Sequence, residues 1–251
     1  MKISIITATF NSEKTIDTCI NSVLNQTYND IEYLIIDGNS TDNTLDIVKQ
    51  KAKQHPHVKC YSEPDKGIYD ALNKGISKAS GSIIGFVHSD DFLASNSIIS
   101  EIANTFITHN VDGVYGDLHY VKFDNTNHIV RNWKSQSFKS KLLAKGWMPA
   151  HPTLYLKKEI YTNNGSFNLD YKIAADYDFV LRIFKQDQFK FFYLPHTIIK
   201  MRVGGVSNRS LKNLIMKTRE DFKAIRRNQL KFPLLVVMIK NLSKIPQWFA
   251  K

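Results

Sequence analysis

Cysteine is nearly missing from this chain: Cys19 and Cys60 are the two in 251 residues, too few for a disulfide framework. Each falls inside an apolar pattern where a small buried hydrophobe serves as well as a thiol, so a reducing cytoplasm is expected. Long apolar runs are also absent. No stretch reaches the ~18 consecutive apolar residues of a membrane span, and residues 232–239 are the longest late candidate. The opening MKISIITATF has one lysine and a short apolar run that soon meets Asn11-Ser12. It lacks the pattern of a secretion signal and reads as a buried strand. No repeat or low-complexity segment is present, which excludes solenoids and fibrous chains. Acids are scarce at one end. Residues 209–251 hold 11 basic residues against Glu220 and Asp221, so +9 of the net +11 lies there and the first 208 residues are nearly neutral.

What is present suits one large α/β domain with an appendage: 251 residues, 43% of them hydrophobic. Ile3 to Ala8 reads as a strand, and Ile16, Cys19, Ile20, Val23 and Leu24 follow at helical spacing. Glu32 to Ile36, Val58 to Ser62 and Ile83 to Val87 read as further strands, with helical patterns over Leu45–Ala52 and Ile68–Ile76 between them. Such alternation implies right-handed crossovers and a largely parallel sheet covered by helices on both faces. Ligands of open α/β sheets collect at the carboxyl ends of the strands, where Thr7, Thr9, Asp37 and Asp90-Asp91 fall. Further on, the pattern predicts a helix near 98–106, a strand near 113–115, a hairpin turning at 124–127 and a helix near 138–144. It then predicts a helix over 174–184 and strands at 189–194 and 197–203.

Ser89-Asp90-Asp91 ends a buried apolar strand, and adjacent carboxylates repel unless a cation or hydrogen-bond donors neutralise them. Mg²⁺ or Mn²⁺, held by one or two carboxylates and shared with phosphate oxygens, would do so; a helix-capping turn is the plainer alternative. Asp37 ends the second strand in IIDGNSTD, where its carboxylate can accept from a base N–H or simply build a turn.

Four ordered segments, SIITATFNSEKTIDTCINSVLNQTY, LIIDGNSTDNT, EPDKGIYDALNKGISKASG and IIGFVHSDD, resemble the donor half of family-two glycosyltransferases of the GT-A fold. The resemblance implies a Rossmann-like mixed sheet with helices on both faces. It implies a nucleotide-sugar donor, with UDP favoured, and a divalent Mn²⁺ or Mg²⁺ ion. Thr7 and Thr9 would line the nucleotide pocket, Asp37 would meet the base, Ser89 and Asp90 would face the ribose and donor, and Asp91 would hold the metal. Asp176, in AADYDFVLR, takes the matching position of the general base of an inverting transfer, while Asp178, two residues on, reads as structural. His151 would lie near the acceptor, a saccharide or lipid-linked saccharide of cell-surface polysaccharide synthesis. Arg202 opens RVGGVS, which resembles a loop closing over the diphosphate. Relatives differ at Gly38, where many have a second acid, and in YDALN at 69–73, where many carry an arginine. Lys66 is the nearest alternative cation for the phosphates.

Three parts follow: a donor half at 1–92, an acceptor and base half at 93–208, and a basic amphipathic helical tail at 209–251. The tail suits either a membrane surface or packing back on the domain, at the inner face of the cell membrane in the first case. A nucleotidyltransferase that makes sugar nucleotides would need a Gly-rich, Arg-containing first loop, whereas Thr7 to Ser12 reads TATFNS. A non-enzymatic basic module remains the third reading; nucleic acid is disfavoured because no recognition module accompanies the charge.

Overall fold

The computed structural model describes residues 1–204 and 211–243. Its first part follows the expected alternation: β1 (Ile3–Thr9), α1 (Ile16–Leu24), β2 (Ile31–Asp37), α2 (Thr44–Gln54), β3 (Val58–Ser62), α3 (Ile68–Lys78) and β4 (Ile83–Phe86). β1 pairs in parallel with both β2 and β4, and β3 joins β2 in parallel, so the crossover helices set this half.

The second part turns the sheet mixed. It adds β5 (Phe92–Leu93), α4 (Ile98–His109), β6 (Gly113–Val121), β7 (Ile129–Trp133), β8 (Tyr155–Lys157), α5 (Lys158–Asn164), α6 (Ala175–Phe184) and β9 (Phe191–Arg202). Short β8 pairs antiparallel with both β4 and β6 and so splices the two halves into one sheet. Among the described residues that sheet has nine strands, in the order β3-β2-β1-β4-β8-β6-β9-β5, with β7 on β6. At Gly85 in β4, an added Cβ would lie 2.0 Å from the ring of Tyr155, so only glycine lets β8 settle beside β4.

Three local readings change. The strands expected at 189–194 and 197–203 form one strand, β9, whose pairing with β6 slips between Tyr115 and Asp117. Pro195 sits at that slip and has no N–H to give the ladder, which is why the pattern reads as a break. The helix expected near 138–144 is a 3₁₀ turn, Ser140–Lys145, stopped by Gly146 at φ +69°. Helix α5 carries too short a pattern to be legible in the sequence.

Alternate residues of the central strands feed two cores. Ile3, Ile5, Tyr33, Ile35 and Val87 pack under α1, α2 and α4; Ile6, Leu34, Ile36, Ile84 and Phe86 pack with α3 and α6. The tail joins this second core. Helices α7 (Leu211–Arg227) and α8 (Pro233–Leu242) place Ala224, Ile225, Val236 and Val237 there. Lys240, buried on α8, pairs with Asp221 at 2.8 Å and stands 3.0 Å above the Tyr177 ring on α6. No described helix is long and apolar enough to cross a membrane.

Candidate active site

Asp37, Thr9 and the Ser89-Asp90-Asp91 turn lie at the carboxyl ends of β2, β1 and β4, which are neighbours in the sheet, so the fold brings these three segments together. Their side chains do different things. Thr7 is buried, with its hydroxyl 2.6 Å from the Val87 carbonyl and 3.0 Å from the Tyr33 hydroxyl. It ties strand ends together and is not at the surface of a pocket. Thr9 is also buried, but its Oγ1 has no protein partner. Asp37 is buried and accepts from the Ser40 hydroxyl and amide at 2.5 and 3.1 Å and from the Ser62 hydroxyl at 2.6 Å. These bonds build the loop after β2. A Cβ at the neighbouring Gly38 would come 2.5 Å from Asp65 Oδ2, so a side chain there requires the Asp65 carboxylate to move. Lys66 is exposed on the turn before α3, where its amide donates to Asp70.

The two adjacent carboxylates are divided by burial. Asp91 is completely inside, its Oδ1 accepting the Arg202 amide at 3.2 Å while Oδ2 has no partner. Burial pushes its carboxyl well above the usual range; neighbouring Asp90 adds to this, and the Arg202 amide and guanidinium oppose it. Asp90 remains partly exposed, and Ser89 Oγ lies 2.9 Å from Ser12 Oγ. Arg202 donates to the Asp90 carbonyl at 2.7 Å and lies over the rings of Phe92 and Phe123. It clamps the turn to the end of β9. The rest of its proposed closing loop, from Gly205 onward, lies outside the described residues.

Asp176 sits in the first turn of α6, partly exposed. Its Oδ1 accepts the Tyr177 amide at 2.8 Å and lies 3.2 Å from the Tyr69 hydroxyl, which donates at 2.6 Å to the Ile173 carbonyl. Asp178 points away, to Arg182 at 3.0 Å and Asn228 at 3.0 Å, as a structural acid would.

Two imidazoles, one from each half of the chain, face each other with ring centroids 6.2 Å apart, and the sequence singled out one of them. His151 is 6% exposed, packed against Phe86, His88 and Phe167, with no protein partner for either ring nitrogen. Burial lowers it to about 4, against the pull of Asp176 and with a further push from His88. His88 is lowered by burial too, and both Asp90 and Asp176 act on it. Its signal was its place in HSDD, two residues before Asp90. Tyr69 and, as described below, Glu220 had no signal of their own.

A divalent ion fits this set in a limited way. Among the described residues no three His, Cys, Asp or Glu side chains converge to cage a metal. The partly exposed carboxylate of Asp90 and the buried, unpartnered Oδ2 of Asp91 would suit only an ion that takes most of its ligands from elsewhere, such as phosphate and water.

A mixed sheet wrapped by helices on both faces, with acids and unpartnered polar atoms gathered at its strand ends, defines an α/β protein whose candidate site lies at the carboxyl edge of its sheet. The model of glycosyl transferase family 2 matches residues 4–190, and the chain belongs to that family. A "PGL/p-HBAD biosynthesis glycosyltransferase" of Mycobacterium bovis (strain BCG / Pasteur 1173P2) is 30% identical and is matched over 96% of this chain and 91% of its own length. Among solved structures, S. aureus TarS superposes with a TM-score of 0.72 at 21% identity, covering 97% of this chain and 44% of that one; a shorter TarS chain was solved with UDP-GlcNAc. The mannosyltransferase PcManGT of Pyrobaculum calidifontis, with GDP-Man and Mn²⁺, gives 0.67 at 18% identity over 99% of this chain and 73% of that one. The chain is thus a glycosyltransferase with the GT-A fold.

Proposed function

We propose that the protein is an inverting glycosyltransferase that moves a sugar from a nucleotide-diphospho-sugar, UDP-linked by preference, to a saccharide or lipid-linked saccharide in cell-surface polysaccharide or glycolipid synthesis. The observation that carries this is the junction of the two halves at these acids: Tyr69 of the first half lies 3.2 Å from Asp176 Oδ1, and His88, two residues before Asp90, meets the His151 ring with centroids 6.2 Å apart. The neighbours' UDP-GlcNAc and GDP-Man support a nucleotide-sugar donor.

In this reading residues 1–92 hold the donor and 93–208 supply the acceptor side and the base. Thr9 offers its free hydroxyl to the nucleotide, Asp37 offers its remaining lone pairs to the base, and Ser89 and Asp90 face the ribose and diphosphate. The metal expected at Asp91 is assigned instead to Asp90, the more exposed member of the acidic pair, for Mn²⁺ or Mg²⁺, because Asp91 is buried with Oδ1 on the Arg202 amide of β9. When bound, such an ion offsets the charge developing on the leaving diphosphate. Asp176 takes the proton of the acceptor hydroxyl as it attacks the anomeric carbon from the side opposite the leaving group, which inverts that carbon. Arg202 and Lys66 are the candidate cations at the diphosphate.

The test begins with thermal shifts of the protein against UDP- and GDP-sugars, with and without Mn²⁺, since a bound ligand raises the melting midpoint. Asp176→Asn should then lower transfer at least about 100-fold with donor affinity retained, within the range ascribed to general-base catalysis. Asp90→Ala should lose the Mn²⁺-dependent part of donor binding. Near-normal transfer by Asp176→Asn would remove the base assignment.

A further inference from the structure

Glu220 is one of only two acids in the basic tail, yet its carboxylate faces the domain. Oε1 accepts the Lys172 amide at 3.0 Å, and Oε2 accepts those of Ile173 and Ala174 at 2.8 and 2.9 Å. Three consecutive N–H groups converging on one anion form an anion-binding nest, and here they belong to the loop that enters α6 two residues before Asp176. Ala174 is the N-cap of α6 and has no side chain able to cap it. Glu220 therefore supplies, from α7, the negative charge that the start of α6 lacks.

The same loop is gripped from its other side. Tyr69 on α3 donates to the Ile173 carbonyl and touches Asp176 Oδ1. Burial, then Asp176, with Glu220 contributing, raises the Tyr69 phenol well above its usual range, which keeps it a donor. Residues 172–174 are thus fixed by an acceptor on α7 and a donor on α3, and the backbone of Asp176 follows directly from them.

We infer that Glu220 is a positioning residue for the catalytic base: the basic tail belongs to the catalytic unit because α7 holds the loop that presents Asp176. This inference rests on the assignment of Asp176 proposed above. A carboxylate serving in general-base catalysis must stay within hydrogen-bond reach of the acceptor hydroxyl, and small displacements are costly to rate while leaving donor contacts untouched.

The experiment uses the full chain and whichever donor the thermal-shift panel selects, following release of nucleotide diphosphate. Glu220→Ala should lower kcat about 10- to 100-fold with donor KM and nucleotide-induced thermal shift changed less than about twofold, the signature of an interaction felt only in the chemical step. Glu220→Gln, which keeps one acceptor oxygen at the same reach but loses the charge and the second acceptor, should recover only part of that loss; Glu220→Asp, which keeps the charge but is shorter, should recover less. In the Asp176→Asn background Glu220→Ala should add nothing, because both changes act through one group. Full kcat in Glu220→Ala, or a fall in kcat matched by loss of donor binding, overturns the positioning role while the base assignment stands on an inactive Asp176→Asn. An equal further loss in the double variant also overturns it. High activity in Asp176→Asn alone brings down the base assignment and this inference with it. As a readout independent of turnover, amide exchange at residues 172–174 should quicken in Glu220→Ala with the remaining core unchanged.

Discussion

A carboxylate is defined by its surroundings more than by its motif. Asp90 and Asp91 are adjacent, but the peptide after β4 turns one toward solvent and the other onto the Arg202 amide. Motif reading cannot separate them, since side-chain direction at a strand end depends on what packs behind it. His151 shows the same limit. Its position suggests acceptor contact, whereas its ring lies between Phe86 and Phe167 with neither nitrogen engaged. A buried imidazole held near 4 stays neutral in the folded chain while the unfolded chain takes up a proton below its ordinary 6.5. Between those values the unfolded state binds more protons, so stability should fall as pH drops from about 6.5 to about 4. His151→Phe should flatten that decline in thermal melts across this range, with transfer kept within a few-fold; a large loss of transfer with intact folding would restore the acceptor role.

At the scale of elements, the first four strands were legible because every crossover helix has its apolar stripe, and β1, β2 and β4 carry isoleucine-rich runs while β3 falls between two such helices. Glu32 was not. It lies in β2, 2% exposed, and accepts from Ser4 Oγ, the Ser80 amide and hydroxyl, and Lys59. It fastens the segment between α3 and β4 to the edge of the sheet remote from the carboxyl ends. Burial by itself would raise this carboxyl, but the Ser80 amide, Lys59 and the two serine hydroxyls outweigh it and hold it down to about 2. Its folded value is depressed, so its stabilisation is complete above its ordinary 4.5 and lost as pH falls toward about 2. Glu32→Gln should cost about 1–3 kcal/mol in urea unfolding at pH 7, the range for unsatisfied buried partners, with nucleotide-induced thermal shifts unaltered. The mixed character of the sheet was implied by the family resemblance and not by the pattern, because three-residue β8 has no periodicity to detect and gains its place only by pairing with both β4 and β6.

For the whole molecule, the described part of the tail packs back on the domain with one side and leaves another side exposed. One side of α8 packs inward through Val236, Val237 and Lys240, while Leu234, Leu235, Met238 and Leu242 stay exposed, as do Leu214 and Ile215 on α7. Exposed Arg219, Lys223, Arg226 and Lys231 accompany them. An apolar face with cations beside it complements an anionic lipid surface, which would also carry a lipid-linked acceptor. Ile245 to Phe249, part of the same expectation, lies outside the described residues. Flotation with vesicles containing about a third phosphatidylglycerol should recover the protein at low salt, and Leu234→Glu with Met238→Glu should abolish recovery while leaving donor binding intact. Binding to neutral vesicles alone, or unaffected by these changes, would count against the surface. Point changes are the right tool, since removing 209–251 would also remove Glu220. By itself the sequence determined the alternating architecture, the family and the edge of the sheet where the acids gather, because periodicity and ordered motifs are local and additive along the chain. Only the tertiary structure decided which acid is the more exposed, that His88 meets His151 from the other half of the chain, and that the tail grips the loop before Asp176. Burial and hydrogen-bond partners come from residues 46 to 112 positions apart in the chain, and no local pattern encodes them.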